Sequence, residues 1–245
     1  MGMQKPPGLK LVDENLRRID GRRLDELRPI KMKVGVLNRA DGSAYVEWGK
    51  NKILVAVYGP RELHPRYMQD PTKAVVRARY NMAPFSTEER VKPGPTRRSV
   101  EISKLIAEMF SGIIFIEEFP RSAIDIFIEV LQADAGTRTA GITAASLALA
   151  DAGIPMRGLV TACAAGKIDG YVVLDLNKEE DNYGEADMPM AMLVKENRIV
   201  YWQMDGQMTE EEVRTAMKMV KDACEKIYEM QKEALKRKYV DLEGL

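Results

Sequence analysis

The sequence predicts an α+β fold, a mainly antiparallel sheet with two layers of packed helices. Three observations carry that prediction. Short alternating apolar runs joined by Gly-containing turns open the chain, and two later segments keep apolar side chains at helical spacing. No linker of low complexity and no internal repeat divides the 245 residues, of which 45% are apolar, enough for one sizeable core. The expected organisation is a single domain over residues 1–245, with a short N-terminal extension at about 1–15 and a C-terminal helix from about 208.

Residues 34–37, 44–48 and 53–57 read as the first strands, with Asp41-Gly42 and Gly49-Lys50-Asn51 as hairpin turns. Residues 58–96 turn irregular, with six prolines around one strand candidate at 74–80; loops of this kind often carry function. Ile102, Leu105, Ile106 and Met109 follow i, i+3, i+4, i+7 spacing and predict a helix over about 97–110. Residues 123–130 alternate as a strand. The helix predicted over 136–152 is dominated by Ala, Gly, Thr and Ser, so its backbone can lie close against a sheet. Strands are expected at 159–164, 171–176, 188–194 and 199–203. A last helix opens with the capping box of Thr209 and Glu212 and keeps Val213, Met217, Val220, Cys224 and Ile227 on one core-facing side.

Composition excludes several chemistries. The N-terminus has no apolar leader and no stretch has the length of a membrane span, so a cytoplasmic protein with no membrane partner is expected. Cys163 and Cys224 lack metal or disulfide spacing and read as core residues, as do Met190 and Met192. The single histidine, His64, rules out a His-ligated metal cluster within one chain. Catalysis must therefore rest on carboxylates, Arg, Lys or backbone. Net charge is zero, yet residues 1–110 hold 22 Lys and Arg against 13 Asp and Glu, while the remainder is equally acidic in balance. One half is suited to an anion.

Four segments could carry chemistry, each with a plainer reading beside it. Arg97 and Arg98 open a helix, where cations are unfavourable unless an anion sits against them; they bind a phosphate, or they pair with Glu101 and nearby carboxylates on the surface. Gly136, Thr137 and Arg138 open the Ala/Gly-rich helix; their backbone N–H groups, hydroxyl and guanidinium cradle an anion, or form an ordinary helix start. Residues 175–187 hold six carboxylates in thirteen positions; crowding raises pKa values and serves proton donation or cation binding, or the stretch is a solvated acidic loop. The basic stretch 61–90 interleaves Arg61, His64, Arg66, Lys73, Arg77 and Arg79 with Tyr67, Tyr80 and Phe85. That pattern suits single-stranded nucleic acid, although Tyr80 and Phe85 read as core aromatics.

The order of motifs resembles the RNase PH family. The motifs are R-I-D-G-R at Arg18 to Arg22, Y-x-M-x-P-F-S-T-x-E-R from Tyr80, R-R-S-x-E-x-S from Arg97, L-Q-A-D-A-G-T-R-T-A-G-I-T-A from Leu131, and D-L-N-K-E-E-D with A-D-M-P from Asp175 and Ala186. The likeness runs from about 15 to 230 and is similar in particular to the catalytic ring subunits of archaeal exosomes. It implies the family fold, a β-α-β-α arrangement of the ribosomal protein S5 domain 2-like class. It further implies metal-dependent 3′→5′ phosphorolysis of RNA, with Mg²⁺ or Mn²⁺ as cofactor, inorganic phosphate as co-substrate and nucleoside diphosphates released; the reverse reaction adds tails.

By the same resemblance Gly136, Thr137 and Arg138 match the phosphate turn, although Thr137 stands where Ser is frequent, and Arg97 and Arg98 match an RNA-backbone clamp. Asp181 matches the general acid and Asp187 the carboxylate assigned to the divalent ion, with Asp181 beside it at the metal. Implied partners are single-stranded RNA 3′ ends passing Arg66, a paralogous inactive subunit alternating in a hexameric ring, and cap subunits with S1/KH-type RNA-binding domains. Two other readings stay open. One is a stand-alone homohexamer trimming tRNA 3′ ends; the other is a non-catalytic RNA-binding ring subunit.

Overall fold

A computed structural model describes residues 5–243, so residues 1–4 of the expected N-terminal extension and 244–245 lie outside the described residues. The first sheet contains β1 (Ile30–Val34), β2 (Gly42–Trp48), β3 (Asn51–Glu62), β4 (Val75–Met82) and β5 (Ser122–Gln132) in the order β1-β2-β3-β5-β4. All neighbours are antiparallel except β4 and β5. That parallel pair needs a crossover, and the helix α1 (Arg97–Ser111) lies between them in sequence and packs on β4. Ile102, Ile106, Met109 and Phe110 form its buried face.

The first strand begins earlier than expected. Ile30, Met32 and Val34 are half-buried and alternate with exposed Lys31 and Lys33, and they pair with Trp48, Val46 and Ala44. Gly35 then takes φ +67°, which ends the strand before Val36 and Leu37. The expected strand at 34–37 had followed local apolarity; pairing with β2 overrode it.

The helix α2 (Thr137–Asp151) contacts strands of both sheets and is buried on nearly every side. Its small residues make this possible: a Cβ at Gly42 of β2 would meet the Ala148 carbonyl at 2.3 Å, and one at Gly141 would meet Ile128 at 3.3 Å. The second sheet holds β6 (Val160–Ile168), β7 (Tyr171–Leu174), β8 (Ala186–Leu193), β9 (Arg198–Trp202) and β10 (Asp205–Gly206). Its order is β10-β8-β6-β7, with β9 also paired to β8.

Between β7 and β8 stands a short helix, α3 (Lys178–Tyr183), where an acidic loop was one expectation. Its signal is legible in hindsight: Asn177 and Glu180 form a reciprocal capping box at 3.0 and 2.9 Å. The long helix α4 (Glu210–Glu243) covers the second sheet, and Thr209 and Glu212 cap it as the sequence predicts. Cys163, Cys224, Met190 and Met192 are all buried. One continuous apolar core runs through both sheets and α2, and no helix among the described residues is long and apolar enough to cross a membrane.

Candidate active site

The chain leaving β5 turns sharply before α2, with Ala135 and Gly136 both left-handed at φ 52° and 67°. A side chain at Gly136 would be strained there and would approach the Arg28 guanidinium to 3.0 Å. The turn is held from below. Asn51 accepts from the Asp134 N–H at 2.5 Å and donates to the Ala135 carbonyl at 2.6 Å, while Arg28 donates to the Asp134 carbonyl at 2.5 Å. The first N–H groups of α2 have no carbonyl one turn back, so Thr137, Arg138 and Thr139 present unpaired donors and the positive helix end at one spot. Thr137 Oγ1 shares a 2.7 Å hydrogen bond with the Tyr80 hydroxyl, and Arg138 Nη1 donates to Tyr201 at 2.8 Å and to Gln203.

The six carboxylates of 175–187 do not form one cluster, because strand end, helix and strand turn them in different directions. Asp175 is buried against Arg28 and Trp48, at 2.7 and 2.9 Å. Burial alone would raise its pKa, but the Arg28 charge and these hydrogen bonds hold it below the usual carboxylate range. Glu180 is buried on Arg18, Glu185 reaches Lys167 and Glu179 faces solvent. Asp181, Asp187 and part of Glu185 reach the cleft beside the turn into α2, a space of about 700 Å³ that Arg98, Gly136, Thr137 and Arg138 also line, and of the three Glu185 is held by Lys167.

Charge in that cleft is finely opposed. Desolvation and the neighbouring Asp181 charge push the Asp187 carboxyl up to about 7, against the pull of Arg138 and Arg98. Desolvation raises Asp181 as well, opposed by Arg98, Arg138 and Arg28. Two carboxyls that resist ionisation thus face two arginines and a helix N-terminus, an arrangement able to hold a phosphate next to a proton donor.

The chain matches the model of the 3′ exoribonuclease family over two adjoining parts, domain 1 across residues 26–155 and domain 2 across residues 158–223. The chain belongs to the 3′ exoribonuclease family. It is 66% identical over 240 residues, covering 98% of this chain and 96% of the relative, to the exosome complex component Rrp41 of Pyrococcus abyssi. Identity to the protein of the same name from Thermoplasma acidophilum is 61% over 231 residues, 94% and 93% of the two chains. The fold is shared with rice Rrp46 at TM-score 0.81 and 24% identity, over 89% of this chain and all of that one. It is also shared with a chain of the Archaeoglobus fulgidus exosome at TM-score 0.76 and 22% identity, over 88% and 92%. This is the RNase PH-type fold that the motifs imply.

Within this exoribonuclease, Asp181, Asp187, Gly136, Thr137, Arg138 and Arg98 meet in one cleft. Arg97 and Arg66 do not: Arg97 is exposed at the start of α1 outside the cleft lining, and Arg66 stands in a separate groove with Glu62 and Arg121. The alternative of surface pairing with Glu101 is not realised, since neither Arg97 nor Arg98 forms an ion pair among the described residues. Phe85, expected in the core, is 74% exposed because the turn after β4 carries it outward; Tyr80 is buried as expected, but its hydroxyl reaches Thr137 at the start of α2. Sequence reading missed Tyr201 and Gln203, which brace Arg138, and Asp205, which pairs across from Asp187 in β10. None carries a local signal, because only the β8–β9 and β8–β10 pairing brings them to α2.

The oxygen donors in the cleft are of the kind that hard divalent cations take. Among the described residues no group of three or more His, Cys, Asp or Glu side chains can enclose a metal. Asp181 and Asp187, side by side near the α2 N-terminus, are the carboxylates that could hold such an ion, with water and other oxygens completing its shell.

Proposed function

We propose that this chain is the catalytic ring subunit of an archaeal exosome, a cytoplasmic enzyme that shortens RNA from its 3′ end by phosphorolysis. The observation that carries the reading is the joining of the α2 N-terminus, Arg98 and Arg138 with two pKa-raised carboxyls in a single cleft. Identity above 60% to proteins named as exosome components supports an exosome assembly; a paralogous inactive ring subunit and S1/KH-type cap subunits are the partners proposed with it.

In this mechanism inorganic phosphate rests on the N–H groups and hydroxyl at Gly136 and Thr137 and on Arg138. Arg98 holds the RNA backbone so that the terminal phosphodiester lies in line. A phosphate oxygen bonds to that phosphorus, and the bond to the 3′-oxygen of the preceding nucleotide breaks. Asp181 gives its proton to the departing 3′-oxygen, and a nucleoside diphosphate leaves. Asp187, with Asp181 beside it, would hold Mg²⁺ or Mn²⁺, whose positive charge offsets the charge that builds on the phosphoryl oxygens. Because Asp187 retains a proton up to about 7 without an ion, cation binding there is expected to weaken as pH falls below that value.

The test is the product. Poly(A) degradation should require inorganic phosphate and release ADP, and Arg138→Ala should abolish turnover while most RNA binding persists. Release of AMP in phosphate-free buffer would reject phosphorolysis in favour of hydrolysis.

A further inference from the structure

Tyr80 lies on β4, almost wholly enclosed at 2% exposure, with its backbone N–H fixed by the Ser103 hydroxyl at 2.8 Å. Its ring edge lies beside Gly141 of α2, where an added Cβ would stand 3.9 Å from it, an ordinary contact. The enclosed ring places its hydroxyl 2.7 Å from Thr137 Oγ1. Thr137 is itself 3% exposed yet lines the cleft. Each of the two hydroxyls has one hydrogen, so the direction of this bond decides what Thr137 offers the cleft.

Either hydroxyl could donate, and acidity favours the phenol. A phenol is the stronger donor and the weaker acceptor of the two, and burial keeps the Tyr80 phenol protonated, above its ordinary pKa, even with Arg98 and Arg138 nearby. Tyr80 donates and Thr137 accepts. The Thr137 hydrogen is then turned away from Tyr80. Thr137 is the first residue of α2, so no carbonyl of its own helix lies one turn back to receive that hydrogen. The remaining direction is the cleft.

We infer that Tyr80 is a positioning residue for the nucleophile: by occupying the acceptor side of Thr137 Oγ1 it commits the Thr137 hydroxyl to donate to the phosphate held at Gly136 and Arg138. This inference rests on the phosphorolytic reading and deepens it. Without the Tyr80 hydroxyl, Thr137 is free to rotate or to bind water, and phosphate meets an undirected partner.

The experiment is a double-mutant cycle read in phosphate. Tyr80→Phe keeps the buried ring, so the fold should persist, with melting temperature as the check. The KM for phosphate should rise about tenfold, the worth of one hydrogen bond to a charged group. The kcat at saturating phosphate and the RNA Kd should each shift less than about threefold, well inside that single hydrogen bond. Thr137→Val should raise the phosphate KM at least as far, and the double variant should be no worse than Thr137→Val alone, because Tyr80 acts only through that hydroxyl. Inorganic phosphate titrated by calorimetry into the wild type and Tyr80→Phe should reproduce the tenfold change with no turnover involved. An unchanged phosphate KM in Tyr80→Phe, or effects of the two substitutions that multiply, overturns the assignment while leaving phosphorolysis intact. A wild type that needs no phosphate and releases AMP overturns phosphorolysis and the Tyr80 role together.

Discussion

Asp181 and Asp187 are the same side chain in the same cleft, and their neighbours separate them. Asp181 stands on α3 with three arginines acting against its raised pKa; Asp187 lies on β8 opposite Asp205 and is pushed up to about 7. Asp181→Asn removes a transferable proton, so turnover should fall by about 10²–10⁴ with little change in RNA affinity and no rescue by added Mg²⁺. Asp187→Asn should shift the Mg²⁺ titration of activity and recover in part at high Mg²⁺. The opposite pattern of rescue would exchange the two roles. A stability measurement checks Asp187 independently. Its carboxyl binds a proton more tightly folded than unfolded, so the stability it contributes is present below about 4 and lost as pH rises through about 7. With EDTA present, the melting temperature should drop between pH 6 and 8, and at pH 8 Asp187→Asn should melt higher than wild type, by on the order of 3 °C.

At the scale of elements, α3 is too short to be stable alone. What holds it is Arg18, whose guanidinium is fully buried and grips Glu180 through Nε at 2.8 Å and through Nη2, while Nη1 takes the Leu174 carbonyl at 2.5 Å. Arg22 adds the Asp175 carbonyl at 3.1 Å. The R-I-D-G-R segment therefore anchors the helix that carries Asp181. Glu180→Ala leaves a buried arginine uncompensated and should destabilise the protein by roughly 3–5 kcal/mol. Thermal denaturation should report a fall on the order of 10 °C. Pairing Glu180→Leu with Arg18→Met should recover much of it, because an apolar pair needs no compensation. No recovery would mean that the carbonyl contacts of Arg18 matter more than the ion pair.

Over the whole molecule, the two halves of opposite charge balance meet at the cleft, with Arg98 from the basic half and Asp181 and Asp187 from the acidic one. Arg66 and the exposed Tyr67 lie outside that cleft. A path for RNA that includes both is longer than the cleft itself, and a ring partner would complete it. The isolated chain should therefore degrade RNA poorly and gain activity on addition of the paralogous subunit. The RNA affinity of the assembled ring should fall by roughly 300-fold as salt rises from about 50 to 200 mM if six phosphates of a single strand are contacted, and the gain should weaken with it. Native mass spectrometry of the assembled ring should give two alternating subunit masses; a single mass with full activity would indicate the homohexameric enzyme instead.

The sequence by itself determined the α+β class, the helices α1 and α2 and the start of α4 nearly to the residue, and the family, because helical periodicity, capping and the glycine of the turn into α2 are local signals. Gly136, Thr137 and Arg138 could be singled out since a helix N-terminus declares its own chemistry. Tertiary structure alone decided which charges meet. By composition and spacing the six neighbouring carboxylates are alike, and the motif resemblance alone picks out Asp181 and Asp187; the register of β8 against β6 and the burial of Arg18 and Arg28 are what place Asp175 and Glu180 in the framework. Tyr201 and Gln203 were silent for the same reason, and Tyr80, legible as a core aromatic, gave no sign of its bond to Thr137. Each reaches α2 through a strand distant in the chain, and a contact made by sheet pairing leaves no mark on the spacing of neighbouring residues.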